Sequence, residues 1–198
     1  MILCWDTETD GFALFNKPIS DPGQPNLVQL ACMLIDDEGK AAATLSMIVK
    51  PEGYKIPSKV AEIHGISTEY AMQVGLPLRV VVACFTNLRA IAQETAAHND
   101  EFDQIVMAAA IHRVGAKPAS PGPERKICTM KETAALVNLP PTAKMRNAGY
   151  DKNKLPKLIE LHQFLFGEGF EGAHDALNDV KACARCLVKL RKEYKLCL

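Results

Sequence analysis

Met1-Ile2-Leu3-Cys4-Trp5-Asp6-Thr7-Glu8-Thr9-Asp10-Gly11 is an apolar run that ends in acids. Such a run reads as a buried strand, and the period-two alternation of a strand turns Asp6 and Glu8 to one face. Two carboxylates at a strand end admit two readings, a metal site or a solvated turn, and the pair alone does not choose between them. A metal site needs further carboxylates, placed later in the chain, to converge on these two.

Composition sets the frame for that search. The 198 residues, 48% hydrophobic and 23% charged, suit one sizeable core, so a single domain over 1–198 is expected. The 23 basic residues balance the 23 acidic ones, which excludes an overall cationic field of the kind that wraps a duplex but leaves room for a local basic groove. No run approaches the roughly 18 apolar residues of a membrane span, and no cationic segment precedes an apolar one as in a secretory signal. No membrane contact and a cytoplasmic location are therefore expected. The seven cysteines, at 4, 32, 84, 128, 183, 186 and 197, fit reduced thiols used as small apolar residues. Cys183 and Cys186 form a CxxC, but with no second pair or nearby histidine to complete a zinc site they read as core packing on one helix face.

Along the chain, Phe12 to Asn26 is loop, Leu27 to Ile35 a largely buried strand, and Ala43 to Val49 a third strand. The turns between the first three strands are too short for crossover helices, which predicts an antiparallel meander. Pro57 to Ile63 forms a short helix broken at His64-Gly65, and Ser67 caps another. Val81, Val82, Phe85, Leu88, Ile91 and Ala92 recur at helical spacing over Leu78 to Ala92. Thr95 to His98 is a short strand, and Asn99 or Asp100 caps a helix running to about Arg113. Val114 to Glu124, with Pro118 and Pro121, is a surface loop. Lys126 to Thr129 is a fifth strand leading into a helix to about Asn138. Pro140 to Lys154 is loop bearing Lys144, Arg146, Lys152 and Lys154. Leu155 to Phe166 is helix, and a glycine-punctuated loop delivers His174 to a last helix reaching about Tyr194. A meander followed by strands alternating with helices indicates an α/β domain with a mixed sheet.

Later acids stand where the opening stretch requires them. Asp103 lies in the first turns of the helix after the short strand, in Ala97-His98-Asn99-Asp100-Glu101-Phe102-Asp103, and Asp179 lies early in the last helix, in His174-Asp175-Ala176-Leu177-Asn178-Asp179. With Asp6 and Glu8 these make four carboxylates, enough for two hard divalent ions such as Mg²⁺ or Mn²⁺. His174, five residues before Asp179, is placed to take a proton from a water.

These three segments resemble, in order, the three motifs of the DnaQ-like, or DEDD, 3′→5′ exonuclease superfamily. A histidine with four residues between it and the last aspartate matches the DEDDh branch. The tyrosine branch has three between, and residue 175 here is Asp. Ile63-His64-Gly65-Ile66, Ile127-Cys128-Thr129-Met130 and Lys154-Leu155-Pro156-Lys157-Leu158 also look like family segments, so the similarity covers nearly the whole chain. The resemblance implies a ribonuclease H-like fold, with a five-stranded mixed sheet flanked by helices on both faces. It also implies a two-metal phosphodiesterase that releases nucleoside 5′-monophosphates. Asp6 would bridge both ions. Glu8 and Asp179 would help hold the ion that binds the attacking water, Asp103 the other, largely through water, and His174 would be the general base. A glycine-rich approach would let His174 swing in on substrate binding.

On the substrate side, Phe12, His64 and Phe102 resemble the family's base and sugar contacts, Asn99 its asparagine, and Thr9 sits in the first motif. Each has a plainer reading: loop anchor for Phe12, core packing for Phe102, helix cap for Asn99. His98 reads as a buried structural hydrogen-bonder, His112 and His162 as surface or rim residues. Gln163-Phe164-Leu165-Phe166 resembles a sliding-clamp peptide but falls in an amphipathic helix, where core packing is the better reading. The expected partner is single-stranded nucleic acid with a 3′ end, DNA ahead of RNA, with a replication or repair polymerase as a candidate protein partner. The alternatives are an RNA 3′ exonuclease, and a non-catalytic single-strand-binding subunit of a polymerase complex.

Overall fold

The computed structural model describes residues 1–117 and 122–194. Pro118, Pro121 and Cys197 lie outside the described residues. Three strands, β1 (Ile2–Thr9), β2 (Leu27–Ile35) and β3 (Ala41–Ile48), form the expected antiparallel meander. Helices α1 (Ser58–His64), α2 (Thr68–Val74) and α3 (Leu78–Ile91) lead to β4 (Glu94–Ala97) and then α4 (Asp100–Arg113). β5 (Arg125–Cys128) follows, then α5 (Thr129–Glu132), α6 (Ala134–Val137), α7 (Ala143–Asn147), α8 (Leu158–Phe166) and α9 (Ala176–Tyr194). The sheet order is β3-β2-β1-β4-β5, with β4 parallel to β1 and β5 parallel to β4. This is the five-stranded mixed sheet of a ribonuclease H-like fold.

Alternation along β1 divides the core. Leu3 and Trp5 face α3 and α4, where Trp5 is fully buried with its ring centroid 4.8 Å from that of Phe85. Ile2 and Cys4 face α8 and α9, against Leu161, Val180, Ala184 and Leu187. Helices thus cover both faces, and the bulky residue before Asp6 packs on the face away from it. Cys183 and Cys186 are buried in the second layer, and burial pushes the Cys186 thiol up to about 12, as packing rather than redox chemistry requires.

Several expectations need correction. The helix after β5 is broken into α5 and α6 at Thr133, whose buried hydroxyl donates to the Thr129 carbonyl. Asn99 occupies the N-cap position of α4 in a left-handed conformation (φ 75°), with no side-chain cap bond. The Pro140–Lys154 stretch is not all loop, because Thr142 caps α7 through the Met145 N–H. Helix α8 begins at Leu158 rather than Leu155, in keeping with the extended preference of a residue before proline, here Leu155 before Pro156. His162 is not a rim residue. It is 1% exposed, its Nδ1 bonded to the Glu168 carbonyl and its ring packed on Phe166 and Phe170, because the glycine-rich loop folds back over α8. His112 is exposed, as expected. In the Gln163–Phe166 segment Leu165 is buried, whereas Phe164 lies at the surface near Tyr194.

Candidate active site

The site lies where the parallel ladder stops. β4 pairs with Ile2, Leu3 and Cys4 of β1, so from Asp6 onward β1 is held by β2 alone. The Thr7 N–H donates instead to Asp103 Oδ1 at 3.0 Å, and the Thr7 hydroxyl donates to the same oxygen at 2.6 Å. Asp103, 2% exposed in the first turn of α4, is fixed to β1 in this way, beside Asp6 and Glu8.

The third motif comes in from the other side of β1. Asp175 caps α9, its Oδ1 accepting from the Leu177 and Asn178 N–H groups at 3.1 Å each. Gln29, buried and directly opposite Glu8 on β2, accepts from the Ala176 N–H at 3.2 Å and donates to Asp175 Oδ2 at 3.3 Å. That pair pins the start of α9 to the sheet. His174 adopts a left-handed conformation (φ 70°) and its N–H donates to Asp179 Oδ2 at 3.0 Å. Gly172 also has positive φ (70°), and a Cβ there would meet the Asn178 side chain at 2.4 Å, so the turn into His174 requires glycine.

One ligand atom each from Glu8, His174 and Asp179 lie within 4.8 Å of one another. The His174 ring stands at the site in the structure, which gives no support to the idea that it swings in on substrate binding. The carboxylates oppose one another's ionisation. Burial and the Asp179, Asp103 and Asp175 charges raise Glu8 to about 8. Burial raises Asp103 to about 8 against the pull of the Thr7 hydrogen bonds. Asp6 is raised well above the carboxylate range by burial, then by Asp103, Asp179 and Glu8. Burial also raises Asp179, against its bond from the His174 N–H. Such a cluster stays ionised at neutral pH only when a cation joins it. Oxygen donors of this kind with one imidazole at the rim fit a hard divalent ion.

Substrate-side candidates divide. Phe12 is 89% exposed, so it anchors nothing by burial. His64 is buried at the end of α1, its Nδ1 accepts from the Ile66 N–H, and its Nε2 is left without a hydrogen-bond partner among the described residues. Burial lowers the pKa of His64. The Thr9 hydroxyl is engaged with the Gly11 carbonyl at 2.7 Å. Phe102 packs against the α3–α4 core, the plainer of its two readings. Asn99 makes no side-chain cap bond. His98 bonds to Thr129 Oγ1 and the Pro156 carbonyl at 2.9 Å each, a structural role as expected. The Pro156 carbonyl can only accept, so Nε2 carries the hydrogen, and burial holds the His98 pKa down at about 4.

Two supporting residues, Thr7 and Gln29, were not identified from sequence. Gln29 had a signal, being the polar residue within the otherwise apolar Leu27–Ile35. Thr7 had none, because alternation sends it to the face away from Asp6 and Glu8 and only the position of α4 brings Asp103 to it.

Comparison with known proteins agrees with this architecture. An exonuclease family model of the RNase T type matches residues 3–187. E. coli exonuclease I in complex with a dT13 oligonucleotide is 19% identical with a TM-score of 0.77, over 98% of this chain and 41% of that one. A zinc-ion-bound E. coli exonuclease I–ssDNA complex is 18% identical with a TM-score of 0.74, over 98% and 41%. A moderately thermophilic exonuclease I from Methylocaldum szegediense is 19% identical with a TM-score of 0.74, over 98% and 41%. The chain thus spans about two fifths of the length of these solved structures, and at such identities the likeness is one of fold. No curated protein matches the chain. Three ordered acidic motifs gathered at one sheet end and a family model covering most of the sequence lead to one statement: the chain belongs to the exonuclease family of the DnaQ-like superfamily.

Proposed function

We propose that residues 1–198 form a single metal-dependent exonuclease domain of DEDDh type, which removes nucleoside 5′-monophosphates from the 3′ ends of single-stranded DNA. The observation that carries this reading is the meeting of Glu8, His174 and Asp179 within 4.8 Å, beside the half-buried Asp6 and the buried Asp103. Asp6, Glu8, Asp103 and Asp179 would hold two divalent ions, Mg²⁺ or Mn²⁺, which supply electrostatic stabilisation of charge on the attacking and leaving oxygens.

The chain's own residues do the rest. His174 takes a proton from the attacking water, whose oxygen joins the phosphorus as the bond to the 3′ oxygen of the penultimate nucleotide breaks. Thr7 holds Asp103 by two hydrogen bonds, and Gln29 with Asp175 holds the start of α9, so the acids keep their geometry while charge develops. Phe12, exposed just past the first motif, offers a face for the terminal base, and His64, buried at the end of α1, is the second proposed contact to the same nucleotide. The E. coli exonuclease I structures with dT13 and dA16 support DNA as the strand.

The proposed setting is the cytoplasm. The cysteines among the described residues are free, and none of the described helices is long and apolar enough to cross a membrane. Competing DNA and RNA oligonucleotides of one sequence test the substrate assignment. Faster shortening of the DNA from its 3′ end is expected, and preferential loss of the RNA overturns it.

A further inference from the structure

The chain balances its charges overall, but residues 138–157 carry Lys144, Arg146, Lys152, Lys154 and Lys157 against Asp151 alone. A second cationic stretch, on α9, is mostly answered by acids, Arg185 by Glu168, Lys189 by Glu193 and Lys192 by Glu38, with Lys181 outside any ion pair among the described residues. The first is not. Lys154 pairs with Glu160, but Lys144 and Lys152 are exposed with no carboxylate in ion-pair range among the described residues, and Arg146 donates to the Pro141 carbonyl.

This stretch is an arm with an ordered base and tip. The base is closed by the Lys154 N–H to the Leu139 carbonyl at 3.0 Å and by Asn153 to Asn138 at 2.6 Å. Beyond it, the Pro156 carbonyl accepts from His98, the residue before Asn99 at the carboxyl end of β4, so the arm departs from the same end of the sheet as the catalytic acids. The tip is α7, capped by Thr142. It ends in paired bonds, Tyr150 N–H to the Met145 carbonyl and Gly149 N–H to the Arg146 carbonyl, each 2.9 Å, with Gly149 at φ 78°. This ending fixes the backbone of Tyr150, which is 65% exposed. An exposed aromatic on a capped turn among cations that lack acidic partners has the two elements of single-strand recognition, a stacking face and a track for phosphates.

Resting on the exonuclease reading, we propose that the arm 139–154 grips the single strand on the 5′ side of the cleaved end. Lys144, Arg146 and Lys152 bind phosphates, and Tyr150 stacks on a base. Affinity then grows with strand length beyond what the metal site reaches.

Fluorescence anisotropy with a labelled oligothymidylate 20-mer and a 3-mer, in EDTA so that nothing is hydrolysed, tests this. The wild type binds the 20-mer more tightly than the 3-mer. The triple variant Lys144→Ala/Arg146→Ala/Lys152→Ala weakens the 20-mer about tenfold or more, and its slope of log affinity against log salt falls by about 2, three phosphates at about 0.7 each. Tyr150→Ala weakens the 20-mer by about fivefold to a hundredfold. The double variant Lys144→Arg/Lys152→Arg, which keeps the charge, retains the affinity and the slope. Unchanged 20-mer affinity and slope in the triple variant overturn the proposal, as does equal wild-type affinity for the two lengths. Arm-dependent 20-mer binding with no mononucleotide released on adding Mg²⁺ would sustain the arm contact and remove the exonuclease reading.

Discussion

The two halves of β1 are built to opposite ends. Ile2 to Trp5 is gripped by β2 on one side, and through Cys4 by β4 on the other, and each of its residues is at most 2% exposed. Asp6 to Thr9 has β2 alone, and its free edge is answered by the carboxylate of Asp103. The first half is apolar on both faces, whereas the second turns acids to one face and threonines to the other. Crowding of half-buried and buried carboxylates disfavours folding, and the well-packed half, with Trp5 on Phe85, offsets that locally. The acidic end is therefore rooted in a rigid, well-packed segment of the same strand.

This contrast can be broken from either half. Asp6→Asn in the acidic half should lower turnover by about 10⁴-fold or more in a single-strand hydrolysis assay, while the metal-free protein unfolds no earlier than wild type, because burial and the neighbouring acids already hold Asp6 in its neutral form there and a neutral amide takes its place. Unfolding of that variant would contradict the contrast. Trp5→Ala in the packed half should do the reverse, costing about 3–5 kcal/mol of stability in urea denaturation. His174→Ala should lower kcat by about 10²–10⁴-fold with the fold unchanged by circular dichroism. Thr7→Val keeps the shape of the buried site but removes one of the two bonds to Asp103, and a loss of about 10–100-fold in activity is expected.

The same contrast has a consequence in pH. Glu8 and Asp103 have native values near 8 against ordinary values of 4.5 and 3.8, so between those limits the native state binds more protons than the unfolded one, and their contribution to stability falls as pH rises. His98, held at about 4 against an ordinary 6.5, acts oppositely below about pH 6.5. Without divalent ions, the urea midpoint should therefore fall from about pH 6.5 to 8, and saturating Mg²⁺ should flatten the slope. A midpoint that rises over this window would contradict the account.

Much of this was legible in the sequence, for physical reasons that also mark where the reading fails. Alternation and run length identified β1 and β2, and the three acidic motifs marked the candidate site, whose Glu8, His174 and Asp179 the fold brings together. The alternation that turns Asp6 and Glu8 to one face also sends Trp5 to the other, where it packs in the α3–α4 layer. What failed depended on tertiary packing. His162 has a helical position like that of a surface residue, and only the return of the glycine-rich loop buries it. The cap at Asn99 failed because its left-handed backbone leaves the side chain without a cap bond. Thr7 and Gln29 act through partners 96 and 147 residues away, at separations that local pattern does not carry.

The most direct test of the central claim uses a single-stranded DNA labelled at its 3′ nucleotide, with Mg²⁺ or Mn²⁺, comparing wild type with His174→Ala. The account predicts that wild type releases the label at once as a nucleoside 5′-monophosphate, that chelation stops the release, and that the variant is slower by the factor given above. Absence of mononucleotide from every single strand tried, or equal rates for the two proteins, would contradict it.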